Sequence, residues 1–70
     1  MSAGRFVYLE DVTVKRLTDR AVLVEWDGEE YWLPLSQLEE NGDNLRAGES
    51  GYTLGLTEWI CKQKGIDVES

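Results

Sequence analysis

The chain has 70 residues, which is room for one small domain, since independently folding domains rarely have fewer than roughly 50 residues. It carries 7 Lys and Arg against 14 Asp and Glu, a net charge of -7. This balance disfavours binding to nucleic acid or to an anionic membrane and favours a basic partner. We expect residues 1–70 to form a single domain with flexible ends at 1–4 and 67–70.

Several features argue against membrane insertion, secretion and metal-stabilised folding. No uninterrupted aliphatic run is longer than residues 21–24, whereas a membrane span needs roughly 20 apolar residues. The opening Met-Ser-Ala-Gly-Arg lacks the apolar stretch of a signal peptide. Cys61 is the single cysteine and histidine is absent, so an internal disulfide and a structural zinc site are excluded. We therefore expect a cytoplasmic protein without a cofactor.

Hydrophobic residues in the first half alternate with a period of two, which is typical of half-buried β-strands. The pattern predicts a first strand over Phe6–Leu17, with a break or bulge at Glu10-Asp11, and a second strand over Ala21–Trp26. A third strand is predicted over Tyr31–Leu35. Pro34 ends that strand or lies at an edge, because it cannot donate a hydrogen bond to a neighbour.

Two registers are open for the hairpin formed by the second and third strands. A two-residue turn at Asp27-Gly28 would place Glu25 opposite Glu30, and like charges that face each other are unfavourable. We therefore favour a four-residue loop over Asp27–Glu30. In both registers the same side chains face one side of the sheet as candidate core residues: Val22, Val24, Trp26, Tyr31, Leu33 and Leu35.

The middle of the chain predicts a helical turn, a loop and a fourth strand. Ser36–Glu39 has the S-x-x-E form of a capping box and predicts one helical turn, which Asn41-Gly42 ends. Residues 41–51 are rich in Gly, Asn, Asp and Ser, the composition of a surface loop. Alternation resumes over Tyr52–Leu56 as the fourth strand.

The C-terminal segment predicts a short helix. Thr57 is its expected N-cap and Gly65 lies just past its end. Glu58 in the first turn, with Lys62 and Lys64 in the last, matches the helix dipole. The predicted fold is therefore mainly β: a small SH3-like or OB-like barrel of four to five strands with one short C-terminal helix.

Four segments carry a topological similarity, namely Val14–Asp19, Val22–Val24, Leu33–Leu38 and Gly48–Ser50. Their order resembles the skeleton of S1-type RNA-binding OB domains. The resemblance implies a barrel that stacks bases on aromatic side chains in the second and third strands, where this chain has Leu23 and Pro34. S1-type domains also end in a fifth strand, where this chain has the predicted helix.

A second similarity covers most of residues 20–66. Its parts are an aliphatic strand at Val22–Val24, an Asp-Gly-Glu-Glu turn at Asp27–Glu30, a Trp-(Ile/Leu)-Pro-x-Ser-Gln-(Ile/Leu) segment at Trp32–Leu38, and a terminal Glu-Trp-(Ile/Leu)-x-x-x-Lys-Gly-(Ile/Leu) pattern at Glu58–Ile66. The combination resembles short uncharacterised open reading frames of bacteria and phages. That resemblance implies a shared small fold and transfers no catalytic residue.

The residues offer little for catalysis. Nucleophilic and acid-base chemistry need a nucleophile or acid beside a suitable base. Cys61 has Lys62 and Lys64 nearby but lies late in its helix, away from the N-terminal dipole that favours a thiolate. The pairs Glu29-Glu30 and Glu39-Glu40 are expected in solvated turns. We therefore do not expect an enzyme.

The loop offers oxygen ligands of the kind that calcium prefers, at Asn41–Asn44 and Glu49. The spacing is not that of an EF-hand. Asn, Gly and Asp are also the ordinary residues of turns, so we predict no metal site.

Aromatic residues are frequent, with three Trp and three Tyr. We expect Trp26 and Trp59 to fill the core. Trp32 has the opposite parity and is expected to be exposed or to lie beneath the terminal helix. Residues 21–45 contain no Lys or Arg, so phosphate groups would be repelled from this stretch.

These patterns together predict a non-enzymatic interaction module for a protein partner, basic in charge, or for a second copy of the chain. The candidate partner-binding residues are Trp32, Glu25, Glu29, Glu30, Glu39 and Glu40. An inhibitor that mimics nucleic acid is a special case of this hypothesis. The alternative is an OB-type binder of single-stranded nucleic acid that uses Arg5, Lys15, Arg16, Arg20 and Arg46.

Overall fold

The computed structural model describes residues 6–66, apart from the side chains of Glu40 and Asn41. Its strands are β1 Phe6–Leu17, β2 Ala21–Trp26, β3 Glu29–Pro34 and β4 Tyr52–Thr57; one helix, α1, spans Glu58–Lys64, and two 3-10 turns span Leu35–Gln37 and Glu39–Gly42. The mainly β fold with one C-terminal helix is therefore confirmed. The ends predicted to be flexible, 1–4 and 67–70, lie outside the described residues, as does Arg5.

The four strands form one antiparallel sheet in the order β3-β2-β1-β4. Within residues 6–66 the sheet is open, so β3 and β4 are its edges. An isolated bridge between Leu38 and Leu56 covers part of the outer edge of β4. The chain between β3 and β4 therefore returns along the sheet and reaches its opposite edge.

β1 bends because its pairing is interrupted twice. Its register with β4 shifts between Leu9 and Val12, where Asp11 has a φ of 62°. Its register with β2 shifts between Val14 and Arg16. Bulges of this kind bend a strand and increase its twist. The first half of β1 therefore pairs with β4 and the second half with β2, and the predicted break is confirmed.

The β2–β3 hairpin has a two-residue turn, so the predicted four-residue loop is wrong. Asp27 and Gly28 have φ values of 55° and 80°, and positive φ at both central positions is the signature of a type I′ turn. Glu25 therefore faces Glu30. A type I′ turn matches the twist of its flanking strands, and this advantage exceeds the repulsion between two solvated carboxylates.

The core lies on one face of the sheet and beneath α1. Its buried residues are Leu9, Val12, Val14, Val22, Val24, Leu33, Leu38, Leu45, Leu54, Leu56, Ile60, Cys61 and Ile66. Trp26, Tyr31 and Leu35 pack against this cluster and are partly buried. The predicted core face of the hairpin is therefore confirmed, with its aromatic residues at the margin.

Trp59 does not belong to the core, contrary to the prediction, because 58% of it is exposed. α1 has only seven residues and buries Ile60 and Cys61. Successive residues on a helix point about 100° apart. The direction that buries Ile60 and Cys61 therefore turns Trp59 toward solvent.

The predicted ends of α1 are confirmed. The Thr57 hydroxyl accepts a hydrogen bond from the Ile60 amide, and Gly65 follows the helix with a φ of 71°. The Ile66 amide then donates to the Cys61 carbonyl at 2.9 Å. Within residues 6–66, no helix has the length and apolar character needed to cross a membrane.

The capping box predicted at Ser36–Glu39 does not form. Pro34 occupies the N-cap of the first 3-10 turn, which has no side-chain cap. Leu38 is extended and buried between the two turns, and the Glu39 carboxylate accepts from the Tyr8 hydroxyl instead. Burial of Leu38 therefore overrides the local helix signal.

Candidate functional site

Four side chains share the outer face of the β2–β3 hairpin, namely Leu23, Glu25, Glu30 and Trp32, and we call them the hairpin face. Leu23 lies opposite Trp32, and Glu25 lies opposite Glu30. Side chains alternate along a strand, so burial of Leu33 turns Trp32 outward. Trp32 is 43% exposed. The hairpin face therefore combines an apolar pair with two carboxylates, as the sequence predicts for three of its members.

The other acidic residues predicted for this surface are not part of it. Glu29 precedes Glu30 in β3, so it lies on the opposite side of the strand. Glu39 lies in the second 3-10 turn and contacts Tyr8 of β1. The side chain of Glu40 lies outside the part of the chain that the structure describes. The predicted acidic surface is therefore divided between separate regions.

β1 adds positive charge beside the hairpin face. Arg16 pairs with Leu23, so Arg16, Leu23 and Trp32 form one row across three strands. The Lys15 ammonium lies 3.5 Å from the Glu25 carboxylate, and both side chains are well exposed. An exposed pair of this kind contributes at most about 1 kcal/mol. Carboxylates therefore flank the apolar pair toward the turn, and cations flank it on β1.

A concave region of about 390 Å³ lies beside β4, apart from the hairpin face. We call it the tyrosine groove, and its lining includes Tyr8, Glu39, Asp43, Tyr52 and Gly55. Tyr8 is 51% exposed, and its hydroxyl donates to Glu39 Oε2 at 3.1 Å. A Cβ at Gly55 would lie 2.9 Å from Tyr8 Cε1 and 2.8 Å from Glu39 Oε1. The Tyr8 ring and the Glu39 carboxylate therefore lie side by side over Gly55, where β4 has no side chain.

Both groove tyrosines keep their protons at neutral pH. The hydrogen bond to Glu39 raises the pKa of Tyr8, with further increases from burial and from the negative charge of Glu39. Burial raises the pKa of Tyr52, as does its hydrogen bond to Glu49. The Tyr52 hydroxyl donates to Glu49 at 3.0 Å and accepts from the Arg46 amide at 3.0 Å. The charge of the groove is therefore carried by its carboxylates.

Cys61 is not an activated thiol. It is buried in α1, and burial raises its pKa, with a further increase from the negative charge of Glu58. A raised pKa keeps the thiol protonated, whereas a nucleophilic cysteine needs the thiolate. Cys61 therefore serves as a core side chain.

The loop considered for calcium has a structural role. The Glu49 carbonyl accepts from the Val14 amide at 2.8 Å, and the Gly48 amide donates to the Val14 carbonyl at 2.7 Å. These bonds continue the pairing of β1 beyond the bulge. Among residues 6–66, no group of three or more Asp, Glu, Cys or His side chains is placed to hold a metal ion.

The tyrosine groove was not predicted, although the sequence contains a signal for it. Gly55 is an isolated glycine within β4, and an isolated glycine in a strand often marks a close approach of another group. The group that approaches Gly55 is the Tyr8 ring, together with Glu39. Tyr8 reaches Gly55 because β1 pairs with β4. This pairing cannot be inferred from the sequence of β4 alone.

The chain was compared with known proteins at three levels. No protein-family model matches it. No curated protein and no solved structure matches it significantly. Function is therefore inferred from the chemistry of the hairpin face and the tyrosine groove.

Proposed function

We propose that the chain is a non-enzymatic interaction module that binds a protein partner through the hairpin face. The observation that carries this proposal is the exposure of Trp32 beside Leu23 on the outer face of the sheet. Tryptophan is enriched at the centres of protein interfaces, where it often contributes most of the binding energy. An apolar pair of this kind therefore suits the centre of an interface.

The charge around Trp32 favours a partner with basic groups. Glu25 and Glu30 lie side by side next to the apolar pair, and the whole chain has a net charge of -7. Complementary charge at an interface rim speeds association and excludes wrong partners. A second copy of the chain is the other occupant that the proposal allows, because Arg16 supplies a cation in the same row as Trp32.

Affinity capture from the native host with three matched baits tests the proposal. The baits are the wild-type chain, Trp32→Ala and Trp59→Ala, the last of which removes a more exposed tryptophan from α1. After nuclease treatment, the proposal predicts a protein retained by wild type and Trp59→Ala and lost from Trp32→Ala. Retention of the same proteins by all three baits would contradict it.

Self-association is tested separately by sedimentation. If the partner is a second copy, the wild-type chain and Trp59→Ala show a mass that rises with concentration, while Trp32→Ala stays monomeric. A concentration-dependent mass that Trp32→Ala leaves unchanged would place the contact away from the hairpin face.

A single-stranded nucleic acid is the second candidate ligand of this surface. The row of Arg16, Leu23 and Trp32 favours it, because a cation beside an exposed aromatic ring can hold a phosphate and stack a base. The net charge opposes it. A mixed 20-mer in about 150 mM salt is expected to bind more weakly than roughly 10⁻⁴ M. Micromolar affinity that falls steeply with salt would reverse the ranking.

The proposal includes a curled form of the sheet, as in an SH3-like or OB-like barrel. It also places the chain in the cytoplasm and relates it to the short bacterial and phage open reading frames. The two bulges in β1 and the Leu38–Leu56 bridge support the curled form. Nuclear Overhauser contacts between the backbones of Leu38 and Leu56 are the expected observation. Their absence in a folded sample would contradict it.

A further inference from the structure

We propose that the tyrosine groove binds a positively charged side chain of a basic protein segment, and arginine in preference to lysine. The groove contains a partly exposed aromatic ring, Tyr8, in contact with an exposed carboxylate, Glu39. This goes beyond the proposed function, since Gly55 lies in β4 and Trp32 lies in β3, at opposite edges of the sheet.

The Tyr8–Glu39 pair is held in place before any ligand arrives. The Tyr8 hydroxyl donates to Glu39 Oε2, which fixes the carboxylate beside the edge of the ring. The absence of a side chain at Gly55 lets both groups settle on the backbone of β4. A glycine inside a strand weakens the strand. Its presence at position 55 therefore indicates that Tyr8 and Glu39 need the space that a side chain would fill.

The charge of the groove selects a cation. Among the described residues that line it, the charged ones are Glu39 and Asp43, and both are exposed. A phosphate or a carboxylate would be repelled from this surface. The face of an aromatic ring attracts a cation within about 6 Å of its centre, so Tyr8 adds to the attraction of the two carboxylates.

The shape of the pair distinguishes arginine from lysine. A guanidinium is planar, stacks on an aromatic face and presents parallel N–H groups to a carboxylate. The Glu39 side chain is exposed; its Oε2 accepts from Tyr8 and its Oε1 lies over Gly55. A lysine ammonium is a compact, strongly hydrated charge and gains less from such a surface. The groove, at about 390 Å³, has room for one long side chain.

Titration of the isotope-labelled full chain with three blocked tripeptides tests this proposal. The probes are acetyl-Gly-X-Gly amides, where X is arginine, lysine or citrulline, the neutral analogue of arginine. The arginine peptide is expected to shift the amide signals of Tyr8, Glu39 and Gly55, with a Kd on the order of 1 mM. The lysine peptide is expected to bind several-fold more weakly, and the citrulline peptide not to bind.

Conservative variants locate the binding. Glu39→Gln is expected to weaken arginine binding at least tenfold, and Tyr8→Phe, which keeps the ring and loses the hydroxyl, by a smaller factor. Glu29→Gln makes the same charge change at the start of β3, and Trp32→Ala alters the hairpin face; both are expected to leave the affinity unchanged. Equal weakening by Glu39→Gln and Glu29→Gln, equal binding of citrulline, or no shift at Tyr8 and Gly55 would each overturn the proposal.

Discussion

Glu25 lies directly opposite Glu30 in the β2–β3 hairpin, so two carboxylates occupy adjacent positions on its outer face. The type I′ turn at Asp27-Gly28 fixes this register. Lys15 offsets part of the repulsion, since its ammonium lies 3.5 Å from Glu25. The hairpin therefore retains an unfavourable pair at the surface where we propose that a basic partner binds.

Replacement of one of these carboxylates by a cation is expected to stabilise the fold. Glu30→Lys converts a like-charge pair into an opposite-charge pair and should raise the free energy of unfolding by about 0.5–1 kcal/mol. Glu29→Lys is the matched control, because Glu29 faces the other side of β3 and pairs with Trp26. Urea unfolding at low salt measures both. A larger gain in Glu29→Lys than in Glu30→Lys would contradict the observed register.

The two hairpin tryptophans are expected to differ in their contribution to stability. Trp26 packs against the core and is partly buried, so Trp26→Ala should cost about 2–3 kcal/mol, less than a fully buried tryptophan. Trp32→Ala should cost about 1 kcal/mol or less, because Trp32 lies on the exposed face. Urea unfolding gives both values. Similar costs would show that Trp32 is a packing residue and would remove the anchor of the hairpin face.

The contact between Tyr8 and Gly55 predicts an energetic coupling. Gly55→Ala places a Cβ 2.9 Å from Tyr8 Cε1, and such overpacking should cost about 1–2 kcal/mol. In a Tyr8→Ala background the ring is gone, so the same substitution should cost at least about 0.5 kcal/mol less. A double-mutant cycle by urea unfolding measures this difference. Strict additivity of the two substitutions would mean that the ring does not lie on Gly55 in solution.

Stability is expected to fall at alkaline pH in a way that depends partly on Cys61. Its pKa is raised in the folded state, so the folded chain holds the proton more tightly than the unfolded chain does. The stabilisation is complete below the unfolded pKa of about 8.5 and decreases as pH rises through it. Cys61→Ala should flatten this decrease above about pH 8, measured by urea unfolding with reductant present. An unchanged slope would place the titration elsewhere, with Tyr8 and Tyr52 as the remaining groups whose pKa is raised.

The parts of the fold that local chemistry determines could be predicted from the sequence. β1 and β2 follow from alternation, the break near Asp11 from a polar pair within that alternation, and both ends of α1 from Thr57 and Gly65. In each case the interacting groups are a few residues apart. The hairpin register depends on two local effects, the repulsion between Glu25 and Glu30 and the preferred geometry of the Asp27-Gly28 turn. The turn geometry is the stronger of the two.

The parts that depend on contacts between distant residues could not be predicted. The capping box failed because Glu39 bonds to Tyr8, 31 residues earlier, and because Leu38 is buried. Trp59 was assigned to the core from its size, although the face that α1 buries is set by its packing against β4 and β1. Of the acidic residues that we grouped by charge, Glu25 and Glu30 share the hairpin face, Glu29 lies on the other side of β3 and Glu39 lies in the second 3-10 turn. The tyrosine groove exists only once β1 pairs with β4.

The most direct test of the proposed function follows the tryptophan indole N–H signals of the isotope-labelled chain as the captured partner, freed of nucleic acid, is added. Trp26, Trp32 and Trp59 give three such signals, one from the margin of the core and two from exposed positions on β3 and α1. We predict that the Trp32 signal shifts or broadens at the lowest partner concentration, together with the amides of Leu23 and Glu30, while the Trp59 signal stays unchanged. A response of Trp59 with an unchanged Trp32 would contradict the assignment of the hairpin face as the binding surface.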